Sequence, residues 1–359
     1  MIVSPSLTTN QMNIDQSARH SRNQKEIHTY ETSHTLYSLA WSLNSEYPFR
    51  MAAASCCQHF QNKISIISLI PTTGMFISHS FIEQTYPPTK IMFIPDNNGL
   101  FPDLFATSGE YLRLYSLKRS SSSLECTLNS YKSTNKCVPI TSFDWNVNDL
   151  SMVGVSSIDT TCTIWNIETG QSLGRTAPFV SGSMQMQLLA HDLAVLDIAF
   201  NPGPAGRDLF ISSGIDGSIR LFDLRHLEHS TIIYENVDPI CRVQWNKINH
   251  NLIAFFTLNS KDVSIIDVRM PCKIQNVLSN HSDFINAFCW APHSSRHICT
   301  VADDRQALIW DLNTFTHSSS NNPILSYDAK SEINNVQWSE LQPEWLSIAT
   351  SNTIQILRV

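Results

Sequence analysis

The chain is short of glycine, of closely spaced cysteines, of positive charge and of long apolar runs, and each shortage removes a class of protein. Only 11 of 359 residues are Gly. Turns must therefore draw on Asn, Asp and Ser, which tolerate left-handed backbone or cap it with their side chains. None of the nine cysteines forms a C-x-x-C pair, which fits a reduced intracellular protein better than a disulfide scaffold. No stretch approaches the ~18 to 20 apolar residues of a membrane helix. Residues 1–25 are polar and lack the apolar core of an export signal. Lys and Arg number 24 against 31 Asp and Glu, a net charge of −7, a poor balance for gripping phosphate backbones. No direct nucleic-acid or membrane contact is expected. Also missing are a nucleophile elbow with Ser, His and Asp in order, a phosphate loop, an H-E-x-x-H pair and a dinucleotide fingerprint. Nothing argues for catalysis or a cofactor.

What is present is a repeat. With 42% hydrophobic and 15% charged residues, the chain can close a sizeable core. An aromatic anchor recurs at Trp41, Phe93, Trp145, Phe200, Trp245, Trp290 and Trp338, every 45 to 55 residues. An apolar residue stands two places before each anchor, the alternation of a strand with one buried face. A second run follows each anchor, at 64–69, 112–117, 162–167, 219–224, 263–268, 307–312 and 354–359. The fourth and fifth residues of these runs are degenerate forms of a Trp-Asp dipeptide, read most clearly at Trp310-Asp311. Two anchors kept in phase seven times predict seven four-stranded blades. The fold expected is all-β, a single seven-bladed WD-repeat propeller over residues 25–359, preceded by a disordered segment at 1–24.

Ring closure follows from the arithmetic of strands. The last run supplies only the third strand of blade seven, so residues 25–31 are expected to add the fourth and cover its edge. The Ser-rich stretches 118–123 and 316–322 read as loops, and 170–186 as an insertion between blades three and four. Cys289, His293, His297 and Cys299 have zinc-ligand chemistry but match no finger spacing, with Pro292 among them, and so read as structural; no metal is expected.

His191 with Asp216 and Phe222, and His281 with Asp304 and Trp310, fit the buried chain that ties loop to strand in such blades. Phe222 lacks a donor, which shortens the first chain; the other five units lack members and predict looser turns. Loop charges sort into an acidic face (Asp192, Asp216, Asp283, Asp303, Asp304, Glu110) and a second, cationic face (Arg225, His226, His229, Arg269, His293, Arg296, His297), as in a two-sided adaptor.

The stretches 216–235, 290–300, 307–312, 332–338 and 356–359 closely resemble the WD-repeat regulators related to plant Transparent Testa Glabra and the petunia anthocyanin regulator. Animal relatives are adaptors of DYRK-type kinases and associate with cullin-4 ubiquitin ligases. The resemblance is strongest over 190–359 and continues in phase over 30–190. It implies a non-enzymatic scaffold, a monomer within hetero-complexes in cytoplasm and nucleus. Its partners would be kinases, transcription regulators or a ligase adaptor, with a cullin-4 substrate receptor as the alternative role. Two tetrapeptides fit the ligase-docking pattern of aromatic or apolar, Asp, any, Arg. They are Phe222-Asp223-Leu224-Arg225 and Ile266-Asp267-Val268-Arg269. With Arg296, they are the expected partner contacts.

Overall fold

The computed structural model describes residues 26–57, 61–118, 121–129, 138–170, 179–313 and 322–359. Segment 1–24 and nearly all of 316–322 lie outside these. The described residues form 28 strands and no helix, grouped into seven four-stranded antiparallel sheets. Six sheets are simple up-and-down meanders, and each anchor closes the innermost strand of its blade. In the seventh, strand Ile27–Glu31 pairs antiparallel with Thr353–Arg358, with Ile27 opposite Leu357 and Glu31 opposite Thr353. The predicted closure by the start of the ring is the one observed.

The apolar alternation has a direct reading in packing. Second strands are covered on both sides, so Arg50–Ser55, Met152–Ser157 and Trp345–Thr350 are buried at every residue. Along Arg50–Ser55, Met51 and Ala53 pack toward blade seven while Ala52 and Ala54 pack toward blade two. The buried apolar residues fall into seven clusters, and each draws on two neighbouring blades. Gly154 lets blade four come close, since a Cβ there would stand 2.9 Å from Ile198 Cδ1.

Polar clasps from the innermost strands cross the same interfaces. Four residues before the anchors, Thr89, Thr141, Asn286 and Asn334 donate to the carbonyls of Ile140, Val195, Ile333 and Leu36 in the next blade, at 3.2, 2.7, 3.0 and 2.7 Å. Trp41, Trp245 and Trp290 send their indole N–H to Gln337, Ala199 and Gln244 of the preceding blade. Asp197 accepts the amide of Val243, and Asp144 that of Phe200. These clasps satisfy groups that blade packing removes from water.

The hairpins between second and third strands manage with little glycine. Asp159, Asp216 and Asp304 accept the amide two residues on, and the residue after each takes positive φ: Thr160, Gly217 and Arg305. Only Gly fits at 217, where a Cβ would lie 2.0 Å from the Asn236 carbonyl oxygen.

Two loop expectations are corrected. Residues 121–123 open the outer strand Ser121–Leu128, opposite Ser116 to Lys118. Residues 179–186 lie in strand Phe179–Leu189, paired with Thr161–Gly170 as the outer strand of blade three rather than as an insertion. An outer strand is covered on one face only, so Ser, Gln and Met can pair there without the apolar stripe that announces inner strands.

Residues 26–32 carry the fourth strand of blade seven, with Tyr30 packed on Phe76 of blade one. Their deletion should lower the free energy of unfolding by about 4 kcal/mol, at ~1 kcal/mol per ladder hydrogen bond. Urea denaturation beside the full chain tests this, and an unchanged midpoint would refute the closure.

Candidate functional site

The two Asp-x-Arg tetrapeptides end the third strands of blades four and five, so neighbouring blades present them on one face. In each, the backbone turns and the arginine folds back on its own aspartate. Arg225 donates to Asp223 from its amide, Nε and Nη2 at 3.0, 2.9 and 2.7 Å. Arg269 repeats the arrangement on Asp267 at 2.9, 2.9 and 2.5 Å. The Arg225 hydrogen bonds hold the Asp223 carboxyl down at about 2, and Arg269 likewise lowers Asp267. Both arginine side chains remain more than half exposed, at 58% and 66%. Each site is thus a planar donor fork anchored at its base and open at its tip.

The other expected contacts divide. Arg296 is exposed in blade six, where its carbonyl accepts the Leu312 amide, and it makes no ion pair among the described residues. Phe222 is buried and stacks on Phe210 with centroids 4.8 Å apart, so it supports the strand and offers no contact. Asp267 is also buried and acts through Arg269. The expected cationic face is more mixed in charge than the loop residues alone suggest. Arg207 sits on Asp149, Arg358 on Glu344, Lys247 on Glu340 and Arg50 on Asp103. These carboxylates neutralise much of the positive charge on that side, while Arg296 keeps its charge without an ion pair among the described residues.

The buried chains are present and longer than expected. His281 Nδ1 donates to Asp304 at 2.9 Å, which leaves Nε2 as an acceptor for the Thr300 hydroxyl at 2.8 Å. Thr300 in turn accepts the Trp310 indole N–H at 2.9 Å. In blade four His191 spans Asp216 and Ser212, at 2.9 and 2.7 Å, and the chain stops there because Phe222 has no donor. Burial lowers the pKa of both imidazoles, only partly opposed by the aspartates.

Blade two builds the same device from other residues. Gln84 donates to Thr107 at 2.9 Å and to the Tyr115 hydroxyl at 2.7 Å. The signal was available: Gln84 lies nine residues before Phe93, as His191 does before Phe200 and His281 before Trp290. The four remaining blades place Ala53, Val155, Phe255 and Ile348 where Thr107, Ser212 and Thr300 stand, all buried. Cys289 and Cys299 face each other across two strands and are both buried, and no cluster of possible metal ligands occurs among the described residues.

Similarity to known proteins agrees with this geometry. The WD domain, G-beta repeat model matches residues 182–223 and 272–311. A DDB1- and CUL4-associated factor 7 homolog of Dictyostelium discoideum is 46% identical over 93% of this chain and 99% of its own length. The chain belongs to that WD-repeat family. An uncharacterized WD repeat-containing protein of Schizosaccharomyces pombe is 30% identical over 93% of the chain and 90% of its own length. Over a shorter span, the GATOR2 complex protein WDR59 of Homo sapiens is 29% identical across 34% of this chain. Fold and family together are those of a WD-repeat adaptor scaffold.

Thr300→Val would leave His281 Nε2 and the Trp310 indole without partners, at about 1–3 kcal/mol each. Urea denaturation should show a loss of about 3 kcal/mol, whereas Thr300→Ser should stay near wild type. Because the folded imidazole is held below its ordinary value, its contribution is complete above pH ~6.5 and is lost as pH falls toward the folded value. The thermal midpoint should therefore drop between pH 7 and 5.5, and less so in His281→Gln, the residue blade two uses.

Proposed function

We propose that the protein is a non-enzymatic adaptor that docks a cullin-4 ligase adaptor through Arg225 and Arg269 and presents client proteins to it. The carrying observation is that two consecutive blades hold identical aspartate-gripped arginine forks on one face. Support comes from the name of the Dictyostelium relative, a factor associated with DDB1 and CUL4. Kinases and transcription regulators are the clients proposed, as for the plant and animal regulators that the sequence resembles, with cytoplasm and nucleus as the sites of action. An anchored guanidinium suits a carboxylate or a set of backbone carbonyls on the partner, because its donors are already aligned.

Arg225→Ala combined with Arg269→Ala should keep the fold, with the thermal midpoint falling by no more than a few degrees as the buried Asp267 carboxylate loses its partner. Binding of purified DDB1 by biolayer interferometry should weaken at least tenfold. Undiminished binding would sink the docking reading. A carboxyl-resolved NMR titration gives a second check: Asp223 should remain ionised until pH falls to about 2, while an ordinary Asp titrates near ~3.9.

A further inference from the structure

The face opposite the arginines carries an apolar arc that folding does not explain. The first residue of the hairpin between second and third strands is Ile158 in blade three, Ile215 in blade four and Leu258 in blade five, exposed by 48%, 41% and 53%. Each has its amide bonded to the loop entering its own blade, at Pro139, Ala194 and Pro239, at 3.3, 2.9 and 2.8 Å. Three aliphatic side chains therefore project from equivalent, fixed positions on consecutive blades. Entry loops add Leu193, Val237 and Phe284, exposed by 51%, 95% and 40%.

These loops form one continuous track. Thr160 of blade three accepts the amide of His191, Gly217 of blade four that of Asn236, and Ser260 of blade five that of Ile285, all within 3.2 Å. Lys261 ties the last junction further, donating to the Ser282 carbonyl at 2.6 Å. In blades four, five and six the exposed apolar residue of the entry loop has an exposed aspartate beside it: Asp192 with Leu193, Asp238 with Val237, and Asp283 with Phe284. Arg220 reaches Asp192 at 2.7 Å, yet that carboxylate side chain remains 83% exposed.

We propose that this arc is a docking surface for a partner segment in which aliphatic and basic side chains are interleaved. Isolated exposed apolar residues need no explanation, but repeated ones on a rigid track mark an interaction site. The intervening aspartates select the sign of the partner's charge and disfavour acidic segments. The proposal is independent of the ligase reading, which concerns the other face.

The test uses the full chain and labelled 15-residue peptides followed by fluorescence anisotropy in 150 mM salt. A peptide of five Leu-Arg-Ser units should bind at least tenfold more tightly than one of Leu-Glu-Ser or Ser-Arg-Ser units. Ile215→Asp with Leu258→Asp should weaken that binding at least tenfold. Val237→Asp, at a side chain 95% exposed and so without risk to the core, should weaken it at least threefold. Arg269→Ala should leave it unchanged. Binding of the Ser-Arg-Ser peptide as tight as that of Leu-Arg-Ser would mean charge alone and would overturn the proposal. So would absence of binding, or variants that bind like wild type. A concentration-dependent dimer abolished by Ile215→Asp with Leu258→Asp would overturn it as well, assigning the arc to a second copy of the chain.

Discussion

No blade of this ring owns a core. The seven apolar clusters each lie between two blades, so a single sheet removed from its neighbours would expose both of its covered faces. The hydrophobic driving force, about 25 cal/mol per Å² of apolar area, is available only when neighbours meet. It is available everywhere only when the ring shuts. This dependence gives the seam between blades seven and one its importance. There the chain uses three devices together: strand Ile27–Glu31 along Thr353–Arg358, the Asn334 clasp to Leu36, and the Trp41 indole on Gln337. The polar clasps set the register at which oily faces meet, because a slipped blade would leave buried donors unpaired.

What could be read in advance follows the same physics. Inner strands are shaped by two covered faces, so the anchor spacing and the apolar runs revealed all seven blades and the closing strand. Outer strands answer to one face and a solvent edge, and so residues 121–123 and 179–186, which begin strands Ser121–Leu128 and Phe179–Leu189, read in the sequence as loop and insertion. Side-chain chemistry was legible where it is distinctive. His191 with Asp216, and His281 with Asp304, meet as expected, but Ser212 and Thr300, which carry those chains inward, are small hydroxyls among many. Gln84 was overlooked because it is neither His nor Asp, although its position relative to Phe93 matched. Charge was the least legible quantity. Sorting loops by face cannot show that Arg207 is already matched by Asp149 or Arg358 by Glu344.

The buried polar devices occupy every second blade from two to six, which leaves two carbon-filled blades, seven and one, side by side at the seam. Blades two, four and six thread hydrogen bonds into the second strand, through Thr107, Ser212 and Thr300, from a residue just before their first strand; blades one, three, five and seven fill the same point with carbon. Both solutions are consistent with close packing, since a fully partnered polar chain and a well-filled apolar site each avoid an orphaned group. They differ in response to acid. The polar chains of blades four and six depend on a neutral imidazole, whereas Gln84 and the carbon-filled blades do not titrate there.

The arginine forks have one more consequence. A free arginine on a surface samples many rotamers, and a partner must freeze it at a cost of about 0.5–1.5 kcal/mol. Arg225 and Arg269 are already immobilised by Asp223 and Asp267, so that entropic penalty falls on folding rather than on association. A carboxylate arriving at this face would therefore meet donors already aligned, and the directional selectivity of the fork would come without that entropic cost.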